Sequence, residues 1–306
     1  MNISIVVFSP TGNTLKVGRM LAASLQEAGV RVQLLDVTRQ EQAFRDNGFR
    51  DFLNAHLEPH DVLCIGGPVY AHHMQYNVLD LIASLDPPNT RWGSYAVPFA
   101  TYGTVSSGVA LAETAHALHE SGRIPALAMK IDARHCYSEI FGVEINEGMP
   151  GQEAHPHVQE FAHRIMKLPT AKQVTNLALS SDLYYLGRLD RWKAKTILRE
   201  RLFHRVAYPK LRFDPDACTG CARCVDVCPV GRLSLHDGQA VVEDDCPACI
   251  HCGACITTCT QHAIQFSVNL SRWARWLEQG AAGKGFIASN EVPKSAVYPL
   301  QATPEP

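Results

Sequence analysis

Ile3-Ser4-Ile5-Val6-Val7-Phe8 runs without a break into Ser9-Pro10-Thr11-Gly12-Asn13-Thr14, and from there into Leu15-Lys16-Val17-Gly18-Arg19-Met20-Leu21. The first run is apolar and β-branched, the pattern of a parallel strand buried on both faces. From Asn13 to Ala28, Leu15, Val17, Met20, Leu21 and Leu25 recur at helical spacing, and Gly29 stops them. Strand, hydroxyl-rich turn and helix make one βα unit, and the alternation continues. Val30–Leu35 reads as a second strand. Asp61–Ile65 reads as a third, ending at Gly66-Gly67-Pro68, and Tyr95–Ala100 as a fourth, followed by a helix over Val109–Glu120. Ile124–Ile131 completes the set, and Val158–Met166 is a closing helix. Repeated βα units predict an α/β fold over residues 1–170: a five-stranded parallel sheet with helices on both faces.

The bulk numbers narrow the function classes. Lys and Arg total 28 against 30 Asp and Glu, a net charge of -2, so overall charge argues for neither nucleic acid nor a membrane as partner. No uninterrupted apolar stretch is long enough to span a bilayer, and the first residues lack the basic start of an export signal, so a cytoplasmic location is expected. Of the 11 cysteines, Cys64 and Cys136 stand alone and nine fall between Cys218 and Cys259. A secreted disulfide scaffold would be short and cysteine-rich throughout; one dense cluster after a long cysteine-poor region points to metal ligation in a reducing compartment.

The cluster contains one spacing twice. Cys218-Thr219-Gly220-Cys221-Ala222-Arg223-Cys224-Val225-Asp226-Val227-Cys228-Pro229 is followed by Cys249-Ile250-His251-Cys252-Gly253-Ala254-Cys255-Ile256-Thr257-Thr258-Cys259. Each copy is C-x₂-C-x₂-C-x₃-C. The two-residue gaps let three thiolates wrap one face of an iron–sulfur cube, and the fourth cysteine reaches the other cube. This assigns Cys218, Cys221, Cys224 and Cys259 to one [4Fe–4S] cluster and Cys249, Cys252, Cys255 and Cys228 to a second. Zinc is the competing reading, because paired C-x₂-C units also bind zinc. Cys246 is surplus and allows a shifted register, Cys246, Cys249, Cys252; the frame ending at Cys259 keeps the three-residue gap. From Phe213 to Phe266 the sequence resembles the bacterial-type two-cluster ferredoxins, down to Cys228-Pro229 and Ala263-Ile264. Thr260 stands where that family usually has proline.

The loop Ser9-Pro10-Thr11-Gly12-Asn13-Thr14 resembles the phosphate loop of flavodoxins. A loop opening a helix offers unpaired N–H groups and the positive end of the helix dipole to a phosphate, and hydroxyls add further donors. The resemblance implies bound FMN, held at its phosphate by Ser9, Thr11, Gly12, Asn13 and Thr14. Two later loops would cradle its ring: Pro68, Val69, Tyr70 and Ala71 after the third strand, and Thr101, Tyr102, Gly103 and Gly108 after the fourth. Tyr70 and Tyr102 are the candidate aromatic walls, and His72 or His73 is a candidate proton donor.

The rest of the chain frames these parts. Residues 171–212 read as a basic helical connector, either a docking element for an acidic partner or a solvated face. Residues 213–268 form the two-cluster domain. Residues 269–306 carry a short helix with Trp273 and Trp276 and a proline-rich tail expected to drape or move. Cys64 reads as a small core residue and Cys136 as a loop thiol. Taken together, the chain is similar to flavodoxin–ferredoxin fusions. That resemblance implies an oxidoreductase passing single electrons through two [4Fe–4S] clusters to or from FMN, and on to a small-molecule substrate or another redox protein (a ferredoxin, flavodoxin or reductase). A pure carrier and a ferredoxin with an empty flavodoxin-like module are the alternatives. The long stretch Arg134–Pro156 is expected to contact a substrate or partner.

Overall fold

The computed structural model describes residues 1–44, 48–168, 183, 186–197, 208–243, 248–285 and 293–300. Strands β1 (Asn2–Val7), β2 (Arg31–Asp36), β3 (His60–Tyr70), β4 (Trp92–Tyr102) and β5 (Leu127–Asp132) pair in parallel in the order β2-β1-β3-β4-β5. That is the doubly wound order of flavodoxin-like sheets, in which ligands gather outside the strand C-termini. The helices in this region are α1 (Asn13–Glu27), α2 (Gly48–His56), α3 (Tyr76–Ala83), α4 (Ala110–Glu120), the single turn α5 (Ser138–Phe141) and α6 (His155–Met166).

Strand alternation sends side chains into two cores. Ile3, Ile5 and Val7 join Val97, Phe99 and Met129 beneath Val17, Leu21 and Leu25 of α1 and Phe161 and Ile165 of α6; Cys64 lies in this layer, as the sequence suggested. Val6, Leu63, Ile65, Ala96 and Ala100 face the other way, onto Phe52, Val78, Leu81, Leu111 and Leu118 of α2, α3 and α4. The third strand does not stop at its glycines. It continues to Tyr70, with Gly66 paired to Phe99 of β4. A Cβ on Gly66 would run into the Phe99 ring, so this glycine makes room for packing and does not mark a turn.

The cysteine region is a small α+β unit. β6 (Leu211–Phe213) pairs antiparallel with β9 (Ile264–Phe266), and β7 (Leu233–His236) forms a hairpin with β8 (Gln239–Val242). The hairpin turns on Asp237-Gly238, both at positive φ, as a two-residue turn of the primed type requires. Helices α8 (Arg223–Asp226) and α9 (Ala254–Thr258) lie within the two cysteine runs. Val230, Ile250 and Cys252 enter the α3/α4-side core of the sheet. The long stretch after β5 packs on the same unit: Tyr137, Phe141, Val143 and Ile145 meet Phe266 and Leu277. The Arg39 N–H donates to the Pro229 carbonyl at 2.9 Å, and the Tyr137 hydroxyl to the His251 carbonyl at 2.6 Å.

The C-terminal residues correct an expectation. α10 (Leu270–Ala281) forms where a helix was read, with the Asn269 side chain accepting from the Arg272 N–H at 2.9 Å. Of the described residues beyond it, 293–300 do not drape. Ala296–Pro299 forms β10, a further strand of the sheet, antiparallel to β5, and Ala296, Tyr298 and Leu300 alternate into the α3/α4-side core. Pro299 sits on the sheet edge, where a missing N–H costs little. The α/β sheet is thus completed by chain that follows the cysteine region.

Of the connector expected over 171–212, residues 183, 186–197 and 208–212 are described. α7 (Arg188–Thr196) buries Ala194 against Val109 and Leu186. His73 pins this helix: its Nδ1 lies 2.8 Å from Glu113 Oε2 and its Nε2 lies 3.0 Å from the Ala194 carbonyl. Both ring nitrogens face acceptors, so the ring binds best as an imidazolium. Burial opposes that charge and so does Lys195, but the Glu113 hydrogen bond and charge and the Ala194 carbonyl outweigh them and raise the pKa above its ordinary value near 6.5. A group whose folded pKa is raised stabilises fully below the unfolded value and loses that contribution as pH climbs through the raised one. Protection of the Arg188–Thr196 amides, taken relative to the intrinsic exchange rate at each pH, should therefore be greatest below pH 6.5 and fall as the medium turns alkaline. The His73→Gln variant should lose that pH dependence; a wild-type profile that is flat across this window contradicts the imidazolium clamp.

Candidate functional site

Two cavities open in the cysteine region. One, of about 50 Å³, is lined by Cys218, Cys221 and Cys224 together with Cys259 of the second run. The other, of about 310 Å³, is lined by Cys249, Cys252 and Cys255 together with Cys228 of the first run. α8 and α9 bring this about: each carries its run's third cysteine, and the fourth lies just past the helix end, beside the other cavity. Apolar side chains close the walls, Phe213 and Ile264 in the first and Leu211, Val230 and Ile250 in the second. Backbone N–H groups donate to sulfur, from Arg232 to Cys228 at 3.2 Å and from His251 to Cys249 at 3.4 Å.

Burial pushes the thiols of Cys224 and Cys249 up, that of Cys255 up to about 12, and that of Cys252 well above its ordinary value. Exposed Cys221 goes the other way, lowered chiefly by the Arg223 N–H. Buried thiolates need a compensating cation, which metal ligation supplies. Among the described residues no three or more His, Cys, Asp or Glu converge on a single metal-ion position. Four thiols spaced around a hollow suit a multi-iron cube better than one zinc ion. Cys246, the surplus thiol of the alternative register, lies outside the described residues.

At the N-terminal loop, Gly12 takes φ +85° ahead of α1, a left-handed geometry that favours glycine. The buried Ser9 hydroxyl accepts from the Leu15 N–H at 2.9 Å, and the Ser9 N–H donates to Thr38 Oγ1 at 2.7 Å. Thr14 and Thr101 meet through their hydroxyls at 2.7 Å, which joins the first loop to the end of β4. Asn13 Nδ2 donates to the Arg134 carbonyl at 3.1 Å. The N–H groups of Thr11, Asn13 and Thr14 have no acceptor among the described residues. Beside them lies a cavity of about 470 Å³ lined by Thr11, Gly12 and Asn13, by Arg39 and Arg134, and, across the gap, by Cys252 and Gly253. Its volume falls within the roughly 300–1,000 Å³ of small-molecule pockets. Open N–H groups, hydroxyls and the Arg39 guanidinium fit a phosphate ester; the Arg134 guanidinium is already paired with Glu147 at 3.0 Å and Glu139 at 3.5 Å. The loop itself has no cation; Arg39 and Arg134 reach the cavity from remote parts of the chain, and no local sequence pattern announces them.

A third recess, about 90 Å³, adjoins this cavity through His135 and Cys136, which line both. Val69, Tyr70, Ala71 and His72 line it with Tyr137, Tyr208, Trp273 and Trp276. Burial lowers His135 to about 4, leaving a neutral ring whose Nδ1 accepts from the Tyr137 N–H at 3.1 Å. Burial raises Cys136 to about 12, so it is no thiolate at neutral pH. The loops after β3 and β4 meet where the Val109 N–H donates to the His72 carbonyl at 2.8 Å and Gly108 packs on His72. Gly103 packs on His135. Pro68 lies within β3. Tyr102 is turned elsewhere: its hydroxyl donates to the Lys294 carbonyl at 2.8 Å, beside β10. His73, in its clamp with Glu113 and Ala194, is not among the residues lining the recess.

Comparison with known proteins bears on both halves. Residues 210–260 match a family model described as a 4Fe-4S dicluster domain, and residues 180–232 match another with the same description. Ferredoxin-3 of Desulfocurvibacter africanus is 56% identical over 32 residues, 10% of this chain and 52% of that protein. The uncharacterized ferredoxin-like protein YdhY of Escherichia coli (strain K12) is 33% identical over 54 residues, 17% of this chain, which spans only 26% of that relative's length. Among solved structures, oxidised Flavodoxin 1 from Bacillus cereus is 16% identical, covers 55% of this chain and 100% of its own, and superposes with a TM-score of 0.39. Rubredoxin oxygen:oxidoreductase from Desulfovibrio gigas is 16% identical over 54% of this chain and 36% of its own, also at 0.39. The flavodoxin-like character of the sheet rests on its own strand order. This chain joins a flavodoxin-like parallel sheet to a 4Fe–4S dicluster domain, the arrangement of a flavodoxin–ferredoxin fusion.

Proposed function

We propose that this electron-transfer protein holds one [4Fe–4S] cluster on Cys218, Cys221, Cys224 and Cys259, a second on Cys249, Cys252, Cys255 and Cys228, and FMN on the Ser9–Thr14 loop. The observation that carries the proposal is a shared wall. Cys252 lines both the second cysteine cavity and the hollow beside the phosphate loop, which supports neighbouring cluster and flavin sites in this reading. When bound, the clusters supply one-electron transfer and the flavin a centre that holds one or two electrons.

The chain's own residues have distinct tasks in this reading. The N–H groups of Thr11, Asn13 and Thr14 donate to the phosphate, while Arg39 balances part of its charge. The hydroxyl pair of Thr14 and Thr101 fixes the loop against the sheet. Tyr70, Tyr137 and Tyr208 exclude water from the recess, where neutral His135 adds no charge. The recess of about 90 Å³ is far below the size of a small-molecule pocket. That favours another redox protein, and not a small-molecule substrate, as the exchange partner. Residues 1–170 with β10 serve as the flavin unit and residues 213–268 as the cluster unit.

Purification without oxygen of the double variant Thr11→Leu/Thr14→Leu tests the flavin site. It should lose flavin while keeping iron and helix content, because leucine at position 11 crowds the open N–H groups and leucine at position 14 breaks the hydroxyl pair with Thr101 that fixes the loop. Stoichiometric flavin retained by that variant contradicts the assignment.

A further inference from the structure

The two cysteine cavities face opposite ways. That of Cys249, Cys252, Cys255 and Cys228 is turned inward: Cys252 and Cys255 are buried, and Val230, Ile250 and Cys252 pack into the α3/α4-side core of the sheet. That of Cys218, Cys221, Cys224 and Cys259 is turned outward. Cys221 is exposed, and so are Asp214, Thr219, Arg223, Leu235 and Gln261 from the same lining. The thiols carry the same asymmetry. Burial pushes Cys255 up to about 12, whereas the Arg223 N–H lowers Cys221.

Local geometry builds the outward mouth. Gly220, inside the first run, takes φ +67°, and a Cβ there would run into the Gly238 carbonyl of the β7/β8 turn. The hairpin is thereby held beside Cys218 and Cys221 while its other side stays in solvent, with Leu235 37% exposed. Leu235 gives the mouth an exposed apolar centre. Asp214, Thr219, Arg223 and Gln261 ring it with polar groups of both signs. The Asp216 N–H holds the Asp214 carboxylate at 3.1 Å. An apolar spot inside a polar rim is the make-up of a protein contact, and redox encounters use small ones. The space of about 50 Å³ behind the mouth is matched to its own cysteines, which leaves a surface there and no pocket for a further small molecule.

We propose that the mouth around Cys221 and Leu235 is the port at which a one-electron carrier protein docks, and that the inner cavity, through its Cys252 wall, leads from there to the flavin hollow. The port rests on the clusters and FMN proposed above and adds where exchange with the partner takes place. In the exchange one electron leaves the carrier's centre, which is oxidised by one, and enters the centre held by Cys218, Cys221, Cys224 and Cys259, which is reduced by one. No bond forms or breaks.

Two measurements on the full chain, purified without oxygen and reduced, test this. In the first, an aqueous dysprosium chelate is added and the power saturation of the cluster EPR signals is followed. Cys228→Ala protein, which keeps the outer cluster, should relax several times faster with the chelate; Cys259→Ala protein, which keeps the inner one, should change little. In the second, a photoreduced small ferredoxin is mixed with intact oxidised protein. Leu235→Gln, a change at an exposed position, should slow reduction of the clusters about tenfold while leaving iron content and chelate response as they were. Wild-type protein without iron and sulfide removes the earlier reading and the port with it. With both clusters present, equal relaxation of the two, faster relaxation of the inner one, no electron uptake from the ferredoxin, or uptake unchanged by Leu235→Gln overturns the port alone.

Discussion

Replacing Cys228 with alanine will empty the cavity that the second cysteine run builds and spare the one beside Cys228's own run. Cys228 lines the hollow of Cys249, Cys252 and Cys255, and Cys259 lines that of Cys218, Cys221 and Cys224. Removing one of four thiolate ligands leaves a cube with an open iron corner. Iron in oxygen-free protein should fall from about eight to about four per chain, with one cluster's spectrum intact. The reciprocal variant, Cys259→Ala, should remove the other cluster. Because Cys252 also walls the hollow beside the phosphate loop, only the Cys228 variant should perturb flavin retention. Were Cys228→Ala to lose the cluster of Cys218, Cys221 and Cys224 instead, the crossed arrangement would be wrong.

Deleting residues 293–306 will cost the sheet a large part of its stability. The deletion strips β5 of its antiparallel partner and removes Ala296, Tyr298 and Leu300 from the α3/α4-side core. Two large buried side chains at about 1.5–3 kcal/mol each put the loss near ~4 kcal/mol before hydrogen bonds are counted. Folded domains hold only about 5–15 kcal/mol in total. The edge it uncovers is polar. Lys130 is fully buried there, Asp132 nearly so, and the Asp132 N–H donates to Ser295 Oγ at 3.0 Å. Burial pushes the Asp132 carboxyl above its ordinary range, opposed by Thr104, whose hydroxyl donates to it at 2.7 Å, and by Lys294. Tyr102 loses its Lys294 acceptor in the same step. Urea unfolding of the truncated chain should show a midpoint far below that of the full chain; matching midpoints would mean the strap is ornamental.

The parts of this structure that a reader of the sequence could see are those written locally. β1 and its loop announce themselves because a strand buried on both faces must be continuously apolar and a phosphate loop must sit at the following helix start. The cysteine spacing is equally local, set by the span of a cube's face. What escaped is held by distant pairs. Pro293 and Pro299 make β10 look like a tail, and only the open edge of β5 turns that run into a strand. His73 looks like a loop histidine beside His72, yet its partners lie 40 and 121 residues away. Arg39 and Arg134 reach the hollow from two separate connections. Tyr102 was expected to wall a flavin, but the C-terminal strap supplies an acceptor for its hydroxyl that no reading of its own loop contains.

The most direct measurement is the metal, sulfide and flavin content of the full chain purified without oxygen. About eight iron, about eight sulfide and one FMN per chain are predicted. Zinc in place of iron, or protein that takes up no flavin on reconstitution, would contradict it.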